Sequence, residues 1–511
     1  MQLRNQSPKL FSGSSRLVWV IVIGCLLTVL IAVLLPASHI VEGHSDSANL
    51  NAHSMPHEGF RAEGAEGGGP SVLKSPSTAE EVVAAKLSQF AHYRHRVVKA
   101  MARHFKIQIP ADVEAFFGAA EAGNWDEIKA RFKALSERHD AVPRSHDLDV
   151  VWHAILETYG AAEQGHMWPA QKLLDYGNAI LGSLHPGMIY VGGTDPGCFI
   201  PTFLNDTSDG ERHITLTQNA LADDTYLNYL SFMYGDRLNT LTQDDRNLAF
   251  RNYVADFQKR QAHDQQFPDE PKQLLPGEEI RSADGTLTPY GALSVMAVNE
   301  SLFQSLLQKN SDASFALEES FPFKSTYASA STLGPIMELR VQGQQDALSQ
   351  NRVDQSLEYW QQTAQELLSQ PDTSEDGAVS RTFSKMATAQ ANLFRDRNYP
   401  AQAEETFQLA TQICPYNPEA VLGYINLLLS QGRFQDAAVV AQNAVQAAPE
   451  NTQFRALLQA LNNKAKTNWV ARKPAFEAVD DWCGYLSNCA IEFHCPRESH
   501  PDRAWEPAPV T

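Results

Sequence analysis

After residue 35 the chain has no second uncharged run long enough to cross a bilayer. A multi-span, membrane-embedded machine is therefore excluded. Positive charge is also scarce: 41 Lys and Arg face 60 Asp and Glu, a formal net charge of -19. That balance argues against nucleic acid, or an anionic membrane surface, as a partner of the bulk of the protein. No Gly-Lys-Ser/Thr ending marks a P-loop, and no three spaced glycines mark a dinucleotide loop. A complete nucleophile-base triad and a metal-protease motif are missing as well.

What is present begins with a membrane signal. Residues 17–35 form an uncharged apolar run of 19 residues, about 28 Å as a helix and close to a bilayer's hydrocarbon thickness. Arg4, Lys9 and Arg16 precede it without an acidic residue, so residues 1–16 read as a cytoplasmic tail and the body as exported. A cleaved signal peptide is the alternative, since Pro36-Ala37-Ser38 borders a possible cleavage site, but its apolar core is normally about 7 to 15 residues. The expected location is the inner (cytoplasmic) membrane, single-pass, with the body on the periplasmic side.

Residues 37–80 are rich in Gly, Ser, Ala, Glu and His and lack apolar periodicity, which reads as a flexible linker. The pattern then turns helical. Leu87, Phe90, Val97, Met101 and Phe105 recur at helical steps, and the segment 81–184 is expected to be a helical domain in which Trp152 and His153 are packing residues. At 511 residues with 43% apolar composition, further modules must follow.

The segment 185–342 reads as a small α/β domain. Met188–Val191 and Ile214–Leu216 are short and β-branched, and each runs into a polar loop that opens a helix. The first loop, Gly192-Gly193-Thr194-Asp195-Pro196-Gly197, permits close backbone approach, but Asp195 repels an anion. Ligand-binding candidates are Gly193, Thr194, Asp195, Gln218 and Asn219. Should the chain be an enzyme, the candidate carboxylates are Asp195, Asp223, Asp224 and Glu319, suited to acid-base work on sugars or to a hard cation. The competing reading places Asp195, Asp223 and Asp224 at helix N-termini as caps and dipole partners. Phe315–Pro322 reads as a strand leading to a loop, and Ile336–Val341 as a closing strand.

Taken together, Gly192–Gly197, Thr217–Asp223, Tyr234-Gly235-Asp236 and Glu318–Pro322 resemble the extramembrane part of a bacterial membrane-protein family. Its larger members join a multi-span, O-mannosyltransferase-like region to a soluble α/β segment and TPR repeats. The resemblance implies the same α/β and TPR layout here. It does not carry transferase activity, because the spans that would handle a lipid-linked sugar are absent. Cys198-Phe199 also stands where the related loops more often carry Arg.

Pro415 and Pro449 lie 34 residues apart, and Ala410/Ala444, Phe407/Ala441, Ala403/Ala437 and Phe394/Leu428 fall at equivalent positions. That is the TPR period, with small residues where helices approach closely. Residues 343–465 are expected to form TPR-like hairpins, including a helix at Val353–Leu368 and a cap carrying Phe454, Leu457, Leu458 and Leu461. The tail, 466–511, holds Cys483, Cys489 and Cys495 without the two-residue Cys spacing of zinc sites; one disulfide is the expectation. The whole reads as a mixed α+β and α/β protein: one N-terminal transmembrane helix, a helical segment, a small α/β domain and C-terminal TPR-like α-hairpins. The leading expectation is a scaffold that binds a protein partner and holds no cofactor or metal; a carbohydrate-active or metal-assisted enzyme is the alternative.

Overall fold

The computed structural model describes residues 78–140, 145–275, 277–283, 286–339, 348–370 and 372–466. The expected anchor at 17–35, nearly all of the linker and the Cys-containing tail lie outside the described residues. Among the described residues no helix is long and apolar enough to cross a membrane.

The described chain is mostly helical. It opens with α1 (Ala79–Phe105), α2 (Ala111–Glu121), α3 (Trp125–His139), α4 (His146–Met167) and α5 (Ala170–Leu181). Thr78 and Glu81 start α1 as a reciprocal capping box, with Thr78 Oγ1 accepting from the Glu81 N–H and Glu81 Oε2 from the Thr78 N–H. Val83, Phe90, Val97, Val98 and Met101 then form its buried stripe. One cation joins them. Arg94 is fully buried, with Nε on Glu157 (2.6 Å) and Nη2 on Asp206 (2.8 Å), and this tie fixes α1 to its neighbours.

A five-stranded mixed sheet follows, in the order β2-β1-β5-β7-β6. β1 (Ile189–Gly192), α6 (Asp195–Asp206) and β2 (Ile214–Thr217) form a parallel βαβ unit. After α7 (Asp224–Tyr234), α8 (Gln243–Gln266), an antiparallel hairpin of β3 (Glu279–Ala283) and β4 (Thr286–Tyr290), and α9 (Ala292–Lys309), the chain returns as β5 (Phe315–Glu318) on the other side of β1. The antiparallel strands β6 (Ala330–Leu333) and β7 (Ile336–Leu339) complete the sheet.

Alternation along the strands divides the core. Ile189, Val191, Leu216, Phe315 and Leu317 face a large apolar cluster shared with α1 to α4, α7 and α9. Tyr190 and Ala316 face a second cluster, shared with α5 and α6 and with Trp360, Met386 and Ala387 from the C-terminal helices. No break in the core falls at residue 185.

The C-terminal helices are α10 (Gln350–Ser369), α11 (Ala378–Asp396), α12 (Pro400–Ile413), α13 (Pro418–Ser430), α14 (Phe434–Ala447) and α15 (Thr452–Lys466). Ala403, Ala410, Ala437, Ala441 and Ala444 are fully buried at the hairpin contacts. These small residues let the helices approach closely. Gln390 of α11 locks the array to the sheet. Its Nε2 donates to the carbonyls of Gly334 (2.8 Å) and Ile336 (3.1 Å), while its Oε1 accepts from Trp360 Nε1 and Ser356 Oγ on α10.

Candidate functional site

The chain leaves β1 toward β2 on one side and returns as β5 on the other, so the crevice beyond the C-terminal ends of β1 and β5 is the sheet's topological switch point. Open α/β sheets bind ligands at this place. Here the crevice is filled from within. Glu318, the last residue of β5 and 1% exposed, places Oε2 at 2.8 Å from both the Gly193 and Thr194 backbone nitrogens, while Oε1 accepts from Thr194 Oγ1 at 2.8 Å. The backbone donors that would have cradled an anion are occupied by the protein's own carboxylate.

The surrounding contacts explain the glycines. A Cβ at Gly197 would fall onto Glu318 Oε2, and one at Gly193 onto Gln218 Oε1 and the Ser320 nitrogen. Thr194 caps α6 at the same time, its Oγ1 accepting from the Gly197 N–H at 3.0 Å. Gln218 is fully buried and accepts from the Ser320 N–H (2.9 Å), and Asn219 Nδ2 donates to the Gly193 carbonyl (2.9 Å) and Ser320 Oγ (3.2 Å). Of the ligand-binding candidates, Gly193, Thr194, Gln218 and Asn219 thus come together, and they do so by bonding one another and residues 318–320.

The candidate carboxylates have separate surroundings. Asp195 stands in the first turn of α6, half-buried and without a side-chain hydrogen bond among the described residues. Burial pushes its carboxyl upward; Lys385 of α11 works against that shift and Glu318 adds to it. Asp223 caps α7, accepting from both the N–H and Oγ1 of Thr225 at 2.8 Å, with His153 Nε2 at 3.8 Å. Burial opposes its charge, but His153 and Thr225 outweigh it and hold the carboxyl at about 2. Asp224 pairs with Arg246 at 3.0 Å. Glu319 is buried beneath Tyr327, whose hydroxyl donates to it at 2.9 Å, and burial drives its carboxyl up to about 8.

Lys385, a residue that the sequence reading did not assign to the site, shapes its open side. Lys385 binds Glu419 of the next hairpin at 2.8 Å and lies 5.9 Å from the centre of the Phe321 ring. It brings the TPR-like array against the crevice. Its 34-residue offset from Glu419 was visible in the sequence as the repeat period, although its approach to Phe321 was not. Glu318 stood out in the sequence as the start of the Glu318–Pro322 motif, but its pairing did not, because its loop partners lie 124 and 125 residues away.

No group of three or more His, Cys, Asp or Glu residues is placed to hold a metal ion among the described residues. Cys198 and Cys414 are both buried and free. A cavity of about 200 Å³, lined by Leu87, Ala91, Trp125, Ile128, Thr158 and His166 among others, lies apart from the switch point in the helical region. Comparison with curated proteins finds no match. Residues 396–461, from the end of α11 into α15, match the tetratricopeptide repeat family, whose stacked hairpins are protein-interaction scaffolds.

Proposed function

We propose that the chain is a membrane-anchored scaffold, displayed on the exported side of the cytoplasmic membrane, that binds a protein partner through its TPR-like repeats. The observation that carries this reading is the stacked array of α11 to α15, matched by the TPR family over most of its length. Asn392 and Asn426 sit 34 residues apart on the first helices of successive hairpins, half-buried and free of side-chain hydrogen bonds within the described residues. Unpaired amides at repeating positions suit a polypeptide backbone, which offers donors and acceptors at regular intervals. Anchoring is supported by the apolar run 17–35 and its preceding cations. A role in envelope or glycan-related assembly is supported by the family resemblance of the loops alone.

The enzyme alternative has narrower support. Among the described residues Asp195 has no hydrogen-bond or ion-pair partner, whereas Asp223, Asp224 and Glu319 are committed to Thr225, Arg246 and Tyr327. The scaffold reading is tested by affinity capture from envelope extracts with the full chain and with Asn392→Ala/Asn426→Ala. A discrete partner retained by the first and depleted at least about tenfold with the second supports it. Identical recovery from both would refute a groove-bound partner.

A further inference from the structure

The acidic residues of α1, Glu80 and Glu81, sit in its first turn; from Val82 to Lys106 every charged side chain is basic or a histidine. At its far end Arg103, His104, Phe105 and Lys106 are all exposed. Phe105 is 36% exposed and stays outside the core, with its ring 4.7 Å from His104 and 6.2 Å from Phe232 of α7; His104 also meets Phe232 at 5.5 Å. Arg103 and Lys106 have no ion-pair partner among the described residues. The exposed Phe105 ring, backed by the half-buried Phe232 that also packs against the core, is flanked by cations without an ion pair among the described residues, a surface patch whose sign opposes the net charge of -19.

We propose that this patch rests on an anionic lipid surface, with the Phe105 ring at headgroup level and Arg103 and Lys106 on the lipid phosphates. The inference depends on the anchored reading of residues 17–35. Aromatic rings with basic neighbours are the side chains that settle at a membrane interface, and each cation near an anionic surface strengthens binding roughly fivefold. The chain length permits the contact. Residues 36–77 reach at most about 140 Å fully extended, against about 40 Å for α1, so a body tethered at residue 35 can set either end of α1 on the bilayer. Tethering also keeps the lipid at high local concentration, so a weak contact suffices. The acidic remainder of the body is repelled by the same surface, which leaves this patch as the favoured point of contact.

The test is hydrogen exchange of the full chain in nanodiscs of phosphatidylcholine alone and of phosphatidylcholine with about one-third phosphatidylglycerol. The expected result is slower exchange of the Phe105–Ile109 amides, by about threefold or more, in the anionic discs only. High salt and the Arg103→Gln/Lys106→Asn variant should abolish it; Asn is chosen because position 106 has φ 56, which Asn tolerates. A Lys133→Gln variant, changed at an exposed site on α3, should retain the protection, and circular dichroism confirms that each variant folds. Co-elution with discs but equal exchange in both compositions overturns the lipid contact alone. Failure to co-elute with either disc overturns the anchored reading and the contact with it.

Discussion

The Glu318 carboxylate lies 2.8 Å from the backbone nitrogen of Gly193, a residue 125 positions earlier in the chain. It joins the C-terminal ends of β1 and β5 where an open α/β sheet normally leaves a ligand crevice. The loop that reads most like a cradle is consequently part of the protein's own framework. Its glycines make room for a carboxylate supplied from within.

Glu318→Gln tests that framework. The amide retains one acceptor oxygen and turns an N–H₂ group toward donors, so stability should fall by about 2 to 3 kcal/mol in urea unfolding. Gly197→Ala should destabilise by about 1 to 3 kcal/mol, because the added methyl collides with the Glu318 carboxylate and has no space to relax into. Unchanged midpoints for both would remove Glu318 as a structural closure.

Acid should weaken the protein through Asp223. Its folded carboxyl is held at about 2, below the ordinary 3.8, so its contribution is present above about pH 4 and is lost as pH falls toward 2. The size is about 2 kcal/mol. Asp223→Asn should be less stable than the parent at pH 6, with the gap narrowing by pH 2. A gap that is constant with pH would contradict the assignment.

Glu319 acts in the opposite direction. Its folded carboxyl lies at about 8, above the ordinary 4.5, so it stays neutral in the fold to about pH 8; its contribution is complete below about pH 4.5, where the unfolded group is also neutral, and is lost as pH rises through 8. Glu319→Gln should therefore match the parent near pH 4 and exceed it by up to about 5 kcal/mol at pH 9. Thermal unfolding across that range gives the answer, and a variant equally unstable at every pH would show that packing, rather than charge, governs the position.

Much of the fold was legible because it is periodic. The 34-residue spacing of Pro415 and Pro449 and the matching alanines located the hairpins, and the short β-branched runs at 189 and 214 located the parallel strands. Other elements gave weaker signals. Strand β6, Ala330–Leu333, carries Ser331 and Thr332 in the sheet and shows no apolar alternation. Helix α8 buries only Arg246, Ala249, Tyr253 and Phe257 over 24 residues, too sparse a stripe to separate from a polar linker. The strand expected over Phe315–Pro322 stops at Glu318, whose side chain turns to the Gly193 loop, and residues 319–323 fold over Tyr327 instead. At the site, the sequence singled out the right loops, but the long-range bonds that join them leave no local pattern.

The repeat packing has its own test. A Cβ at Gly423 of α13 would lie 2.5 Å from the buried ring of Phe407 on α12. Gly423→Ala should cost about 1 to 3 kcal/mol despite the better helix propensity of alanine. A stabilised variant would mean that the two helices are not held at this distance.

The most direct measurement of the central claim is photo-crosslinking in the cell envelope from a benzophenone side chain placed at Asn426 in the full chain, with the same group at exposed Lys133 as the comparison site. The scaffold account predicts a discrete protein adduct from position 426 that is absent from position 133. No adduct at 426, or the same adducts from both positions, would contradict it.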